Sequence, residues 1–239
     1  MSNIAIYILS GLFWTVGFLF FFIVKQDIDP QQNFCDHPYY DYPDTLSGKF
    51  YDLDSLKTLI GKNHILAPGY EIQSAIALTA YPELKSLSIE FVMTEGGAPM
   101  ESSLQPWSLF GFRENRKYQI LLHDGADDFF DPILLRNLPF DAQVGILAHE
   151  LGHTVYYHNM NLLEFAKWGI SYERDNNFRA AHERTTDLMP VYHGLTSQIY
   201  QYAYHVRKDP GCIGFYQKDK WFMDTFYMSD EELLPYLEK

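Results

Sequence analysis

Thirty-one residues, LPFDAQVGILAHELGHTVYYHNMNLLEFAKW (138–168), carry apolar side chains at helical spacing, and they constrain this chain more than any other stretch. Asp141 stands where an N-cap is expected, and Ala142, Val144 and Leu147 enter the first turns. Inside the run two histidines stand four apart, His149 and His153, with Glu150 directly after the first. On a helix, residues i and i+4 share a face, so both imidazoles converge on one point, where zinc–nitrogen bonds of about 2.0–2.1 Å can form. Glu150 sits one step round the helix. It is poorly placed to join the same ligand set but near enough to reach a water held there, which is the chemical reason for the H-E-x-x-H spacing. A shuffled chain with 9 His and 13 Glu in 239 residues yields the pattern roughly 0.02 times, so chance is a weak explanation.

A catalytic zinc takes three protein ligands and keeps one position open. The extended form H-E-x-x-H-x-x-G-x-x-H fails here: Tyr156 stands at the glycine position and Asn159 at the third histidine, with His158 one residue early. A better third ligand lies 30 residues past His153, in HERTTDL. Glu183 and Asp187 are four apart and share a helical face. Glu183 completes a His₂Glu set of metal ligands, and Asp187 can accept the N–H of a ligand imidazole and fix its tautomer. A solvated acidic helix face is the competing explanation. Ala180, Ala181, Leu188 and Met189 weaken it, because they mark a helix packed closely on another.

The pairing of H-E-L-G-H with E-R-T-T-D resembles the gluzincin class of zinc metallopeptidases, which combine H-E-x-x-H with E-x-x-x-D. YPELKSLSIEF before the motif and GFYQKDKWFMDTFYMSDEEL at the end are similar in shape to membrane-anchored, metallopeptidase-like bacterial proteins. The similarity covers about residues 60–235, and only the two motifs are specific. It implies one Zn²⁺ ion held by His149, His153 and Glu183, with Glu150 as general base and Asp187 orienting a ligand histidine. It also implies a zincin-like fold in which an edge strand above the active-site helix pairs with an extended peptide. KYQILLHD, just before that helix, is the natural candidate for the strand. The class often supplies a further His or Tyr to stabilise the oxyanion. Tyr192 and His193 stand five and six residues after Asp187, close enough to consider for that role, although no motif fixes it.

The remainder of the chain reads as α+β. DLDSLKTLI and GYEIQSAIALTAYPEL have helical spacing, LKSLSIEFVM alternates as a strand, and Tyr118 to His123 form a second strand. TEGGAPMESSLQPW between the strands is punctuated by Gly and Pro and reads as a loop; with its flank to Asn115 it is long enough for a lid. A later helix carries FRAAHERTTDLM and is expected to break or kink near Pro190. GLTSQIYQYAYHV resumes the helical period, and Ser229 with Glu232 forms a capping box.

At the N-terminus, Ile4 to Val24 are 21 residues without a charge, long enough to cross about 30 Å of hydrocarbon as a helix. A cleaved signal peptide wants a basic flank and a small-residue cleavage site, and neither is present. The expected organisation is an anchor over 1–25, a tether or irregular lead-in over 26–49, and a zincin-like domain over 50–239. That makes a single-pass membrane protein with the bilayer and a peptide or protein substrate as partners. Lys25 alone barely sets the orientation, and an extracytoplasmic domain is the working expectation. With 18 basic and 31 acidic residues the net charge is −13, which leaves no electrostatic footprint for nucleic acid. Cys35 and Cys212 form either one disulfide or two separate thiols. Two other functions fit the same residues: a zinc hydrolase of a non-peptide amide, and a membrane-anchored binding or scaffold domain without activity.

Overall fold

In the computed structural model, residues 45–105, 107–108, 112–125 and 129–237 are described. The apolar run at 4–24, the membrane helix expected there and most of the lead-in lie outside the described residues, as do residues 1–44 altogether. Among the described residues no helix is long and apolar enough to cross a membrane.

The fold is α+β with one small sheet, as the sequence pattern requires. Two helices come first, α1 (Leu53–Leu59) and α2 (Glu71–Thr79), with the two-residue strand β1 (His64–Ile65) between them. Strands β2 (Ser88–Thr94), β3 (Met100–Leu104) and β4 (Lys117–His123) follow. The sheet order is β1-β2-β4-β3, with β1, β2 and β4 parallel and β3 antiparallel to β4. The C-terminal half is helical: α3 (Phe140–Asn159), α4 (Leu162–Arg174), α5 (Asn176–Tyr192), α6 (Thr196–Lys208), α7 (Ile213–Lys218), α8 (Lys220–Phe226) and α9 (Asp230–Leu237).

Several expectations need correction. KYQILLHD is not an edge strand: β4 lies between β2 and β3, and the edge beside α3 is β3. The stretch read as a loop therefore contains a strand, which also removes the lid reading from its centre. MESSL carries three polar residues in five and so shows little strand pattern, yet Ser102 faces inward and its hydroxyl lies 2.9 Å from that of Thr154 on α3. Asp141 is not the N-cap of α3. Pro139 occupies that position, and the Asp141 carboxylate accepts hydrogen bonds from the Leu46 and Ser47 amides, the Thr45 hydroxyl and the Gln198 side chain. This buried carboxylate thus fastens the end of the lead-in to the start of α3. The long helical run is also two helices, because Asn161 and Glu164 form a capping box that starts α4. Pro190 lies within α5, which continues to Tyr192. The capping box of Ser229 and Glu232 is formed as expected at the start of α9.

Helix α3 is the axis of the core. Its middle turns are buried on all sides, against the sheet, α2, α5 and α6. Two glycines set how closely its neighbours approach. A Cβ at Gly145 would stand 2.2 Å from the Gln198 carbonyl on α6, and one at Gly152 would stand 3.1 Å from Met189 Cβ and Thr186 Cγ2 on α5. The glycine within HELGH therefore allows α5 to pass directly over the histidines. Tyr81, fully buried, donates from its hydroxyl to the Ala148 carbonyl at 2.7 Å and holds α3 one residue before His149.

Candidate metal centre

Where α5 crosses α3, three donor atoms converge. His149 Nε2 and His153 Nε2 each lie 3.4 Å from Glu183 Oε2, and all three lie within 4.8 Å of one another. Two ligands held at ~2.0–2.1 Å by one tetrahedral ion stand about 3.3–3.4 Å apart, so the spacing is that of a zinc ligand set. Glu183 Oε2 is buried with no hydrogen-bond partner, a costly state for a carboxylate oxygen that a cation relieves. The residues present therefore fit the ion. His149 and Glu183 are 2 % and 1 % exposed, which places the charge in a low-dielectric setting.

The surroundings orient each ligand. Asp187 Oδ1 lies 2.9 Å from His149 Nδ1, and its other oxygen accepts the Met228 amide at 2.7 Å. A carboxylate can only accept, so Nδ1 carries a proton, and Nε2 is the nitrogen that faces Glu183 and can ligate once a metal displaces any proton on it. His153 Nδ1 instead meets His182 Nε2 at 3.1 Å. Burial and the neighbouring His153 hold the His182 pKa down to about 3, so His182 is neutral and has one N–H. The Trp168 indole, which can only donate, gives its N–H to His182 Nδ1 at 3.4 Å, so the single His182 proton sits on Nε2 and points at His153 Nδ1. Ligation through His153 Nε2 requires this tautomer to reverse, with His153 Nδ1–H donating to His182 Nε2 at the cost of the long Trp168 contact. The Tyr172 hydroxyl donates a hydrogen bond to Glu183 Oε1 and fixes the other oxygen of that carboxylate. Burial, with Glu183 nearby, raises the pKa of this phenol, so it remains a donor.

The charges are strongly coupled. Burial opposes charging of His149, but Asp187 and Glu183 override it and hold its pKa well above the ordinary imidazole value. Burial likewise works against the Glu183 carboxylate, while His153 and His149 hold its pKa well below the usual range. Glu150 goes the other way. Burial raises its pKa, Glu183 adds to the rise, and His153, His149 and a backbone hydrogen bond from Ser102 oppose it. A carboxyl raised towards neutrality is suited to take up and release a proton.

The Ser102 contact ties Glu150 to the sheet edge. In β3, Gln105 N donates to Lys117 O, so odd positions face β4 and the Ser102 amide faces outward. Glu150 therefore lies against the outer edge of β3 and takes the Ser102 amide there.

All five residues expected at the site, His149, Glu150, His153, Glu183 and Asp187, meet at this crossing. Tyr192 and His193, considered for an oxyanion-stabilising role, have other surroundings. Tyr192 ends α5 partly exposed, and His193 stacks on Tyr81 with ring centroids 4.0 Å apart, its nitrogens 2.7 Å from the Met189 carbonyl and 2.9 Å from Glu83. The aromatic residues against the site are others. Tyr172 touches Glu183, and the Tyr227 ring lies 5.9 Å from that of His149. Neither has a motif. The signal available for His182 is its place directly before Glu183, which sets it over α3. The remaining cysteine question falls partly within view: Cys212 is a buried free thiol that donates to the Pro132 carbonyl, and Cys35 lies outside the described residues.

No known protein family, curated protein or solved structure matches the chain. The resemblance to gluzincins thus stands on its two motifs.

Proposed function

We propose that this chain is a membrane-anchored zinc metallopeptidase. The convergence of His149 Nε2, His153 Nε2 and Glu183 Oε2 carries the reading, since that donor set and spacing suit one catalytic zinc. When bound, zinc polarises a scissile carbonyl and lowers the pKa of a water towards about 7. The protein's part falls to four groups. Asp187 holds His149 in the ligating tautomer, and Tyr172 fixes Glu183. Glu150, with its raised pKa, accepts a proton from the attacking water and returns it to the leaving amine. The outer edge of β3 lays an extended peptide beside Glu150, which favours a peptide over a small amide substrate. The uncharged run 4–24 serves as the anchor, with the catalytic domain on the extracytoplasmic side.

The test is the full chain in detergent, zinc-loaded, against a mixed peptide library, beside Glu150→Gln. Cleavage by the parent and its loss from the variant, with zinc retained in both, is the expected result. Equal activity in the two proteins removes Glu150 from the mechanism.

A further inference from the structure

Several cations of the C-terminal part of the chain are paired with carboxylates, and Arg179 is not. Arg136, Arg184, Arg207, Lys208 and Lys220 each have a carboxylate within ion-pair distance. Among the described residues Arg179 has none, in a chain with 31 acidic against 18 basic residues. Its guanidinium instead lies among three aromatic faces, 4.8 Å from the Tyr172 ring centroid, 5.2 Å from Phe222 and 4.9 Å from Phe226. Its Nε is buried without a hydrogen-bond partner, while the residue as a whole is half-buried. The rings fix the fork in place and give it apolar walls, but they neutralise no charge.

Its position relative to the metal centre is set by the helix. Arg179 is four residues before Glu183 on α5, on the same face and about 6 Å away along the axis. Tyr172 joins the two, its hydroxyl on Glu183 and its ring against the guanidinium. At ~3.3–3.6 Å per extended residue, 6 Å is about two residues of a peptide.

We propose that Arg179 is a carboxylate-binding subsite beside the metal centre, taking a carboxylate of the substrate roughly two residues from the bond that is cut. The proposal rests on the peptidase reading. The planar fork suits bidentate recognition of a carboxylate, and the partly exposed Phe222 ring beside it suits the apolar part of the same residue. The carboxylate is supplied either by the substrate's C-terminus or by an internal acidic side chain, and the experiment separates them.

Zinc-loaded full chain and its Arg179→Met variant are given N-acetylated hexapeptide pools in three forms: free C-terminal acid without internal acids, the same pool as C-terminal amide, and an amide pool with glutamate at fixed positions. Cleavage sites and kcat/KM are read by mass spectrometry. The expected result is a preference of at least tenfold for one carboxylate-bearing pool over the neutral amide pool, mainly in KM, with a constant spacing of one to three residues between carboxylate and cut. The preferred pool identifies the source. In Arg179→Met the ratio is expected to fall to within about twofold of unity. No preference in the parent, or the same preference in the variant, overturns the proposal. If Arg179→Met fails to fold, Arg179→Lys replaces it: the ratio should drop at least threefold, and an unchanged ratio is contrary. If no pool is hydrolysed, the peptidase reading fails by itself, and Arg179 is judged by retention of the pools on immobilised Glu150→Gln protein. Equal retention of carboxylate and neutral pools there also overturns it.

Discussion

Replacing Asp187 by asparagine separates two functions that one buried side chain performs. One oxygen lies 2.9 Å from His149 Nδ1 and the other accepts the Met228 amide at 2.7 Å. Both partners are donors, and an asparagine has only one acceptor oxygen, so one of the two contacts becomes donor against donor. If His149 yields, Nδ1 gives up its proton and Nε2, the nitrogen that must ligate, keeps one. Loss of such an orienting partner weakens metal binding by 10–100-fold, or about 1.4–2.7 kcal/mol. If the Met228 amide yields, a buried donor is left unpaired at a cost of about 1–3 kcal/mol. At ~2–4 °C per kcal/mol for a domain of this size, the melting temperature then falls by roughly 2–12 °C. The assay is zinc affinity by competition with a chromophoric chelator, together with thermal melting of the metal-free protein. Either a tenfold weaker affinity or a clear drop in melting temperature is expected in Asp187→Asn. A variant within twofold of the parent in affinity and about 1 °C in melting would refute the reasoning that both oxygens are needed.

Two further predictions concern the scaffold. Gly145→Ala forces a Cβ to 2.2 Å from the backbone of Gln198, so α6 must shift; overpacking of about 1–3 kcal/mol should lower the melting temperature by roughly 2–12 °C, and a drop under about 1 °C is contrary. Burial holds the His64 pKa down to about 4, below its unfolded value of 6.5. A depressed histidine favours the folded state fully above the unfolded value and loses that stability as pH falls from 6.5 towards 4. Between pH 7 and pH 5 this amounts to ~2 kcal/mol, reduced to about 1 kcal/mol because the residue is partly exposed. His64→Leu should therefore lose less melting temperature than the parent on that acidification, and an equal loss assigns the effect elsewhere.

What was legible in the chain follows its periodicity. His149, His153, Glu183 and Asp187 each sit at i, i+4 on helices, so their faces could be read before any packing was known. That the two faces meet depends on Gly152, which lies within the motif and opens the path for Met189 and Thr186. The edge strand was not legible. MESSL takes its extended form from pairing with β4, with only Met100 and Leu104 as apolar members, so local pattern gives it no weight. Asp141 has the residue type of a cap but is used by the lead-in 95 residues earlier, a contact no local rule contains. Tyr172, His182 and Tyr227 reach the site from three separate elements, and one histidine or tyrosine among many carries no positional signal. Asn161 and Glu164, by contrast, do announce the break between α3 and α4 through their three-residue spacing.

The central claim is that His149, His153 and Glu183 hold one zinc. Its most direct test is the zinc content of the full chain in detergent, purified without chelators, beside Glu183→Ala. The account predicts close to one zinc per chain in the parent and a marked loss in the variant. A parent that takes up no zinc, or a variant that binds it equally well, contradicts the account.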